Sequence, residues 1–284
     1  MPKINEATDT DLKIIDELKK LGWKPGDTLL YQQEYILTPE QQNQFEGRKS
    51  IKPDITLVYL NHNIIAIFEN KFEDEKKALT KLRTLYATVL KPRFLYACSP
   101  ERIQFYDTEW KGLESGEFRQ VTSLMSLEDM QLKIEQARKI NLDREITIDK
   151  GIAGGINPSC GKETYYQTEC IQALIQKYKD GKQKMLVHMA TGLGKTRTMV
   201  AFTKALLEYN MARRVLFVVD RVMLAEQALT DGFSLISKEY SAVHITSGNY
   251  RQYKNAQIHI VVIDTLENIY QNIPSNFYDL IIVD

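Results

Sequence analysis

The sequence predicts an α/β protein in two parts, and three observations carry that reading. Two apolar runs, DITLVYL and IIAIFENK, flank Asn61-His62-Asn63 and have the form of a β-hairpin. From residue 162 onward, apolar strand-like segments alternate with helical ones, the pattern of a parallel sheet with helical crossovers. Between them lies GIAGGINPSCG (151–161), rich in the residues that break regular structure. The expected division is a mixed sheet flanked by helices over 1–125, a helical connector and linker over 126–160, and a parallel-sheet domain over 161–284. A length of 284 residues suits two domains.

Residues 8–21 have helical periodicity, with Leu12, Ile15, Leu18 and Leu21 as the apolar stripe and Gly22 as the stop. LLYQQEYIL (29–37) reads as a strand and TPEQQNQFEGRKS as a loop. After the hairpin, residues 73–90 look helical and end before Pro92, and RFLYACS and RIQFYD are two further strands. In the second part the order is a helix at 164–179, the strand KMLVHMA, the loop TGLGKT and a helix to about Asn210. VLFVVD, a helix from Arg221, IHIVVID, a short helix and LIIVD follow.

Composition narrows the function classes. A 43% apolar and 26% charged chain is globular rather than disordered. No run approaches ~18 apolar residues, so no membrane span or membrane partner is expected. The start lacks a basic-then-apolar signal, and three widely spaced cysteines suit a reduced, cytoplasmic protein. The 37 basic and 37 acidic residues cancel, which gives no overall attraction for nucleic acid.

The motifs point to chemistry that the net charge does not. In MATGLGKT, Gly192 and Gly194 allow the backbone to curl its N–H groups toward phosphate, beside Thr191. Lys195 would reach the β/γ-phosphates of ATP and Thr196 would ligate Mg²⁺. The G-x4-G-K-[ST] rule fails only at Met189, and the strand–loop–helix context fits. In the first part, Lys52-Pro53-Asp54 is followed by Glu69-Asn70-Lys71. This is the PD-(D/E)xK nuclease pattern: Asp54 and Glu69 would hold Mg²⁺ on the scissile phosphate, and Lys71 would position the attacking water. A two-residue turn at Asn61-His62 or His62-Asn63 pairs Asp54 with Glu69 or with Lys71, and either register puts all three on one face. A three-residue turn that pairs Asp54 with Asn70 would turn Asp54 away. Asp9, Asp16 and Glu34 are candidates for an additional acid.

Several segments resemble superfamily 2 helicases and DNA translocases. Gln167 after Tyr166 is similar to the adenine-reading Q motif. VLFVVDRVMLAEQ and VVIDTLENI resemble DNA-contacting motifs, with Arg221 and Thr265 as the contacts. YDLIIVD looks like the strand into Walker B, with Asp284 as its Mg²⁺ ligand. A nuclease pattern followed by an ATGxGKT motor resembles the R (restriction and motor) subunit of type I restriction enzymes. DTDLKIIDELKKLGW, the nuclease hairpin, FLYACSPERIQFYD and MATGLGKT are each similar to that family's segments. One position departs: Leu82 stands where the family usually has a glutamine four residues before Tyr86.

The resemblance implies a PD-(D/E)xK nuclease-like domain followed by an incomplete RecA-like P-loop domain. It implies Mg²⁺-dependent cleavage of double-stranded DNA coupled to ATP-driven translocation. It also implies methylation (M) and specificity (S) subunits as partners, with S-adenosylmethionine on the M subunit. A glutamate after the Walker B aspartate and a second RecA-like domain belong to that picture. The expectation is therefore a longer protein, whose 1–284 segment alone binds ATP weakly without turning it over. The alternatives are a type III-like or other anti-phage helicase–nuclease, and a nucleotide-dependent DNA-binding module with an inactive nuclease fold.

Overall fold

A computed structural model describes residues 9–59, 63–70, 75–109, 117–157 and 160–284. The chain forms two compact units, 1–137 and 138–284.

The first unit holds α1 (Asp9–Lys20), β1 (Leu29–Tyr31), β2 (Tyr35–Ile36), α2 (Pro39–Gln44), β3 (Ser50–Ile51), β4 (Ile55–Tyr59) and β5 (Asn63–Asn70). Then come α3 (Glu75–Lys81), a π-helical turn (Leu82–Tyr86), α4 (Ala87–Leu90), β6 (Phe94–Cys98), β7 (Ile103–Asp107), β8 (Arg119–Val121) and α5 (Leu127–Asp143), which runs across the division between units. Six strands form one mixed sheet in the order β1-β4-β5-β6-β7-β8, and only β5 and β6 run parallel. A separate apolar core lies on each face. Ile14 and Leu18 of α1 pack with Ile55, Ala66 and Phe68, while Leu82, Leu85 and Tyr86 pack with Val58 and Ile67.

Four local expectations change in this unit. The buried side of α1 carries Asp11, Ile14 and Leu18, whereas Leu12 is exposed. The expected strand 29–37 breaks at Gln32, whose φ of 47° is left-handed. The expected loop after it contains α2, started by a reciprocal capping box between Thr38 and Gln41. The division between units falls within α5 rather than in the Gly- and Pro-containing stretch. There Ile152 and Ala153 are buried in the second unit's core, and a Cβ on Gly154 would lie 1.8 Å from Thr168 Oγ1. Gly154 thus serves close packing against the next helix rather than freedom of a linker.

The second unit contains α6 (Tyr165–Lys179), α7 (Lys195–Glu208), β9 (Val215–Val219), α8 (Val222–Gln227), β10 (Ala242–Ile245), β11 (Ile258–Val262), α9 (Ile263–Ile269) and β12 (Leu280–Val283). Its four strands are all parallel, in the order β10-β11-β9-β12. β10 is a strand the periodicity did not indicate. The expected strand KMLVHMA joins no ladder. Met185 and Val187 are half-buried and Leu186 is exposed, so the period-2 pattern survives. An apolar run becomes a strand only where a neighbour completes its hydrogen bonds, and β12 pairs only with β9 among the described strands. All three cysteines are free. Among the described residues no helix is long and apolar enough to cross a membrane.

His259 on β11 is wholly buried. Its Nε2 faces the Tyr253 carbonyl at 3.0 Å and so carries the proton, leaving Nδ1 to accept from the Tyr278 hydroxyl at 2.7 Å. Burial, and then the Arg214 charge, push its pKa from 6.5 down to about 3. Below pH 6.5 the unfolded chain takes up a proton there that the folded chain refuses. Stability from this site is therefore full above pH 6.5 and falls toward about pH 3. Urea midpoints between pH 7 and pH 4 should decline less steeply in His259→Gln than in the unsubstituted chain. Equal slopes would show that the imidazole is not responsible.

Candidate functional site

The first site is set by the β4/β5 hairpin. Near the turn Tyr59 pairs with Asn63 and Val58 with Ile64, but beyond Leu57 the register shifts, so that Leu57 meets Ala66 and Ile55 meets Phe68. The extra residue is Ile65. Continued by one step, the shifted ladder sets Asp54 opposite Glu69, the register of a two-residue turn at Asn61-His62. Asp54 shares its face with Thr56 and Val58, and Glu69 shares its face with Ile67, the face covered by α3 and the π-helical turn. The two carboxylates thus stand side by side. Lys71, the third member of the expected set, lies outside the described residues, as do Asn61 and His62.

Glu69 is fully buried, and its Oε1 accepts a charge-assisted hydrogen bond from Lys81 Nζ at 2.6 Å. Lys81 Nζ also lies 5.0 Å from the centre of the Tyr86 ring. The π-helical turn explains this partnership. Its i→i+5 hydrogen bonding stacks Lys81, five residues before Tyr86, over that ring, and leaves Leu82, four residues before, fully buried in the core. The position where the sequence offers leucine for glutamine is thus a packing position, and a cation one residue earlier serves the carboxylate. Tyr86 donates to the Lys52 carbonyl at 3.0 Å. Burial, then the charge of Glu69, holds its phenol far above the ordinary range, so it stays a neutral donor.

Asn70 ties this face to the other one. Its backbone N–H donates to Asp54 Oδ2 at 2.6 Å, and its side-chain amide donates to Asp11 Oδ1 at 2.6 Å. Tyr31 donates to the second oxygen of Asp11 at 3.2 Å. The acid that α1 brings inward is therefore Asp11, 4% exposed. Asp9 and Asp16 are exposed, Asp16 pairing with Lys19, and Glu34 is an exposed acceptor for Ser50. The signal for Asp11 was present as a carboxylate at i, i+3, i+7 with Ile14 and Leu18. Two carboxylates offer the hard oxygen donors that suit a divalent cation such as Mg²⁺. Among the described residues no third His, Cys, Asp or Glu joins a metal-binding group.

In the second unit, Gly192 and Gly194 have φ of 84° and 79° and give the loop the left-handed turns the motif needs. Gly194 caps α7, which starts at Lys195; Lys195 and Thr191 are exposed and Thr196 is half-buried. Gln167, 5% exposed, accepts from the Gly154 N–H at 3.0 Å and donates to the Leu193 carbonyl at 2.9 Å. Its amide braces the loop, with one hydrogen and one lone pair left over. Arg197 adds a second brace, donating to the Ile152 and Gly151 carbonyls. Arg221 before α8, Thr265 in α9 and Asp284 after β12 follow the carboxyl ends of three parallel strands, so they share one edge of the sheet. Arg221 is exposed beside Asp220, Thr265 is half-buried, and the Asp284 N–H extends the ladder to the Val218 carbonyl.

Two glycines make a discriminating pair. Alanine at either Gly192 or Gly154 meets a positive φ, a cost of about 1–2 kcal/mol. At Gly192 the added Cβ has open space, but at Gly154 it collides with Thr168. Urea denaturation should therefore show Gly154→Ala losing clearly more stability than Gly192→Ala, with Thr168→Ala recovering part of the difference. Equal losses would contradict the packing role of Gly154.

Residues 161–284 match the family described as "Type III restriction enzyme, res subunit". A stretch of 65 residues, 23% of the chain, is 45% identical to the type I restriction enzyme EcoKI endonuclease subunit of Escherichia coli strain K12 and spans 6% of that protein. A stretch of 127 residues, 42% of the chain, is 28% identical to the type I restriction enzyme EcoAI endonuclease subunit of Escherichia coli and spans 15% of it. Over these stretches the chain is similar to type I restriction endonuclease subunits, of which it spans only a small part, and residues 161–284 match the restriction-enzyme res-subunit family.

Proposed function

We propose that this chain is the nuclease and first motor part of a type I restriction subunit, cutting double-stranded DNA in a Mg²⁺-dependent reaction coupled to ATP-driven translocation. The observation that carries the nuclease half is the shifted hairpin ladder, whose last pair, Ile55 with Phe68, continues by one step to Asp54 opposite Glu69, in the PD-(D/E)xK order. The first unit is then a PD-(D/E)xK nuclease-like fold. A divalent cation between the two carboxylates would supply Lewis acidity at the scissile phosphate and a more acidic bound water. Asp54 and Glu69 would hold it, Lys81 pairs with the buried Glu69, and Lys71 would position the attacking water. The Asn70 N–H fixes the Asp54 carboxylate toward β5.

The second unit fits a RecA-like motor lobe. Its glycine loop binds the phosphates of ATP, with Lys195 at the β/γ-phosphates, Thr196 and Asp284 toward Mg²⁺, and Gln167 at the adenine side of a loop it also braces. Arg221 and Thr265 sit on the edge that would meet DNA. Partners in this reading are double-stranded DNA and the M and S subunits, in the cytoplasm. The similarity to two type I endonuclease subunits favours this over a type III assignment, since the type III description belongs to a family matched only over the motor region.

The test is plasmid cleavage and nucleotide binding by the protein reconstituted with its M and S subunits. Asp54→Ala and Glu69→Ala should each reduce cleavage at least ~100-fold and leave binding of a fluorescent ATP analogue unchanged. Lys195→Ala should lose the nucleotide and, through lost translocation, cleavage as well. Cleavage that survives Asp54→Ala would refute the nuclease assignment, and unaltered nucleotide binding by Lys195→Ala would refute the motor assignment.

A further inference from the structure

A groove runs beside the Asp54/Glu69 face, between the α2–β3 loop and the helix that starts with α3. One wall carries Glu46 and Arg48, and the other carries Lys76, Lys77, Thr80 and Lys81. Among the described residues, four cations thus face one carboxylate in a chain whose total charge is zero. The spacing on the helix is regular: Lys76 with Thr80, and Lys77 with Lys81, are i,i+4 pairs on adjacent rows of one face. Like charges at i,i+4 weaken a helix by a few tenths of a kcal/mol, so the Lys77/Lys81 pair does not serve helix stability. Four residues rise about 6 Å along a helix. That is close to the through-space distance between neighbouring phosphates of one DNA strand, which exceeds the axial rise of roughly 3.4 Å because the strand winds around the duplex. Lys81 belongs to both places, since it lines the groove and its Nζ rests on Glu69 Oε1 at 2.6 Å.

We propose that this groove is the track for the sugar–phosphate backbone of one strand of duplex DNA, leading into the Asp54/Glu69 site, with Lys81 at the junction. The direction of the track rests on the nuclease reading; the binding of phosphates does not. Arg48, Lys76 and Lys77 contact successive phosphates and carry no base information, so they set register and affinity without sequence preference. Thr80 supplies a hydroxyl donor within the same row.

The experiment is fluorescence anisotropy with two labelled duplexes of unrelated sequence, over about 50–200 mM salt. The chain is compared with its Arg48→Gln/Lys76→Gln/Lys77→Gln variant. The variant should bind both duplexes roughly tenfold or more weakly at low salt. Its slope of log affinity against log salt should be smaller by roughly two to three, about 0.9 for each lost phosphate contact. A Lys76→Gln/Lys77→Gln variant, which leaves the loop intact, should lose roughly two of that slope. All three side chains are exposed, and equal melting temperatures establish that the fold is retained. Unchanged affinity and slope, a loss confined to one duplex sequence, or no measurable duplex binding by the unsubstituted chain would each overturn the proposal. Asp54→Ala reads the nuclease assignment separately: if it still cleaves, that assignment fails while the groove result stands.

Discussion

The one-residue shift in the β4/β5 ladder is the constraint on which the first site depends. A hairpin that kept its turn-proximal register would set Asp54 opposite Phe68 and turn one of the two carboxylates to the other face of the sheet. Ile65 takes up that slip at a bulge, where the added local twist also bends the strand. Everything above it follows. Glu69 is delivered to a fully buried position, which is tolerable only because Lys81 meets it with a charge and a hydrogen bond together. That meeting in turn requires the π-helical turn, which costs helical regularity and returns a five-residue spacing between Lys81 and Tyr86.

The second unit solves a different problem, holding a loop of left-handed glycines in one shape. Gln167 does so from α6, gripping Leu193 on one side and Gly154 on the other. Gly154 must lack a side chain for that grip to close, because Thr168 already fills the space. The GIAGG sequence and the GLG sequence are thus two halves of one brace, though nearly forty residues apart.

Much of this was legible in the sequence where two constraints coincided. The hairpin showed in its period, and the parallel strands in their continuous apolar runs. The misreadings share a cause: local pattern was taken where a partner decides. KMLVHMA has the alternation of a strand but no neighbour. GIAGGINPSCG has the composition of a linker, but Gly154 is required by the Thr168 contact. The Thr38–Gln41 capping box was present in TPEQ but hidden within a polar run. Asp11 was the subtlest, a carboxylate on an apolar stripe that shows its purpose only when Asn70 and Tyr31 arrive from sixty and twenty residues away.

The outer position of β12 bears on how this polypeptide behaves as a colloid. Its side chains Ile281 and Val283 are 59% and 73% exposed, and the neighbouring Leu186 is 96% exposed. An outer strand with apolar, uncharged flanks is a template for strand pairing between molecules, and nature ordinarily blunts such edges with lysine or proline. LIIV has neither. Long-range repulsion, the other safeguard against such contacts, is missing too, because 37 positive and 37 negative side chains leave no net charge near neutral pH. A buffer moved away from pH 7 restores charge to the polypeptide and with it the repulsion that opposes pairing at this edge.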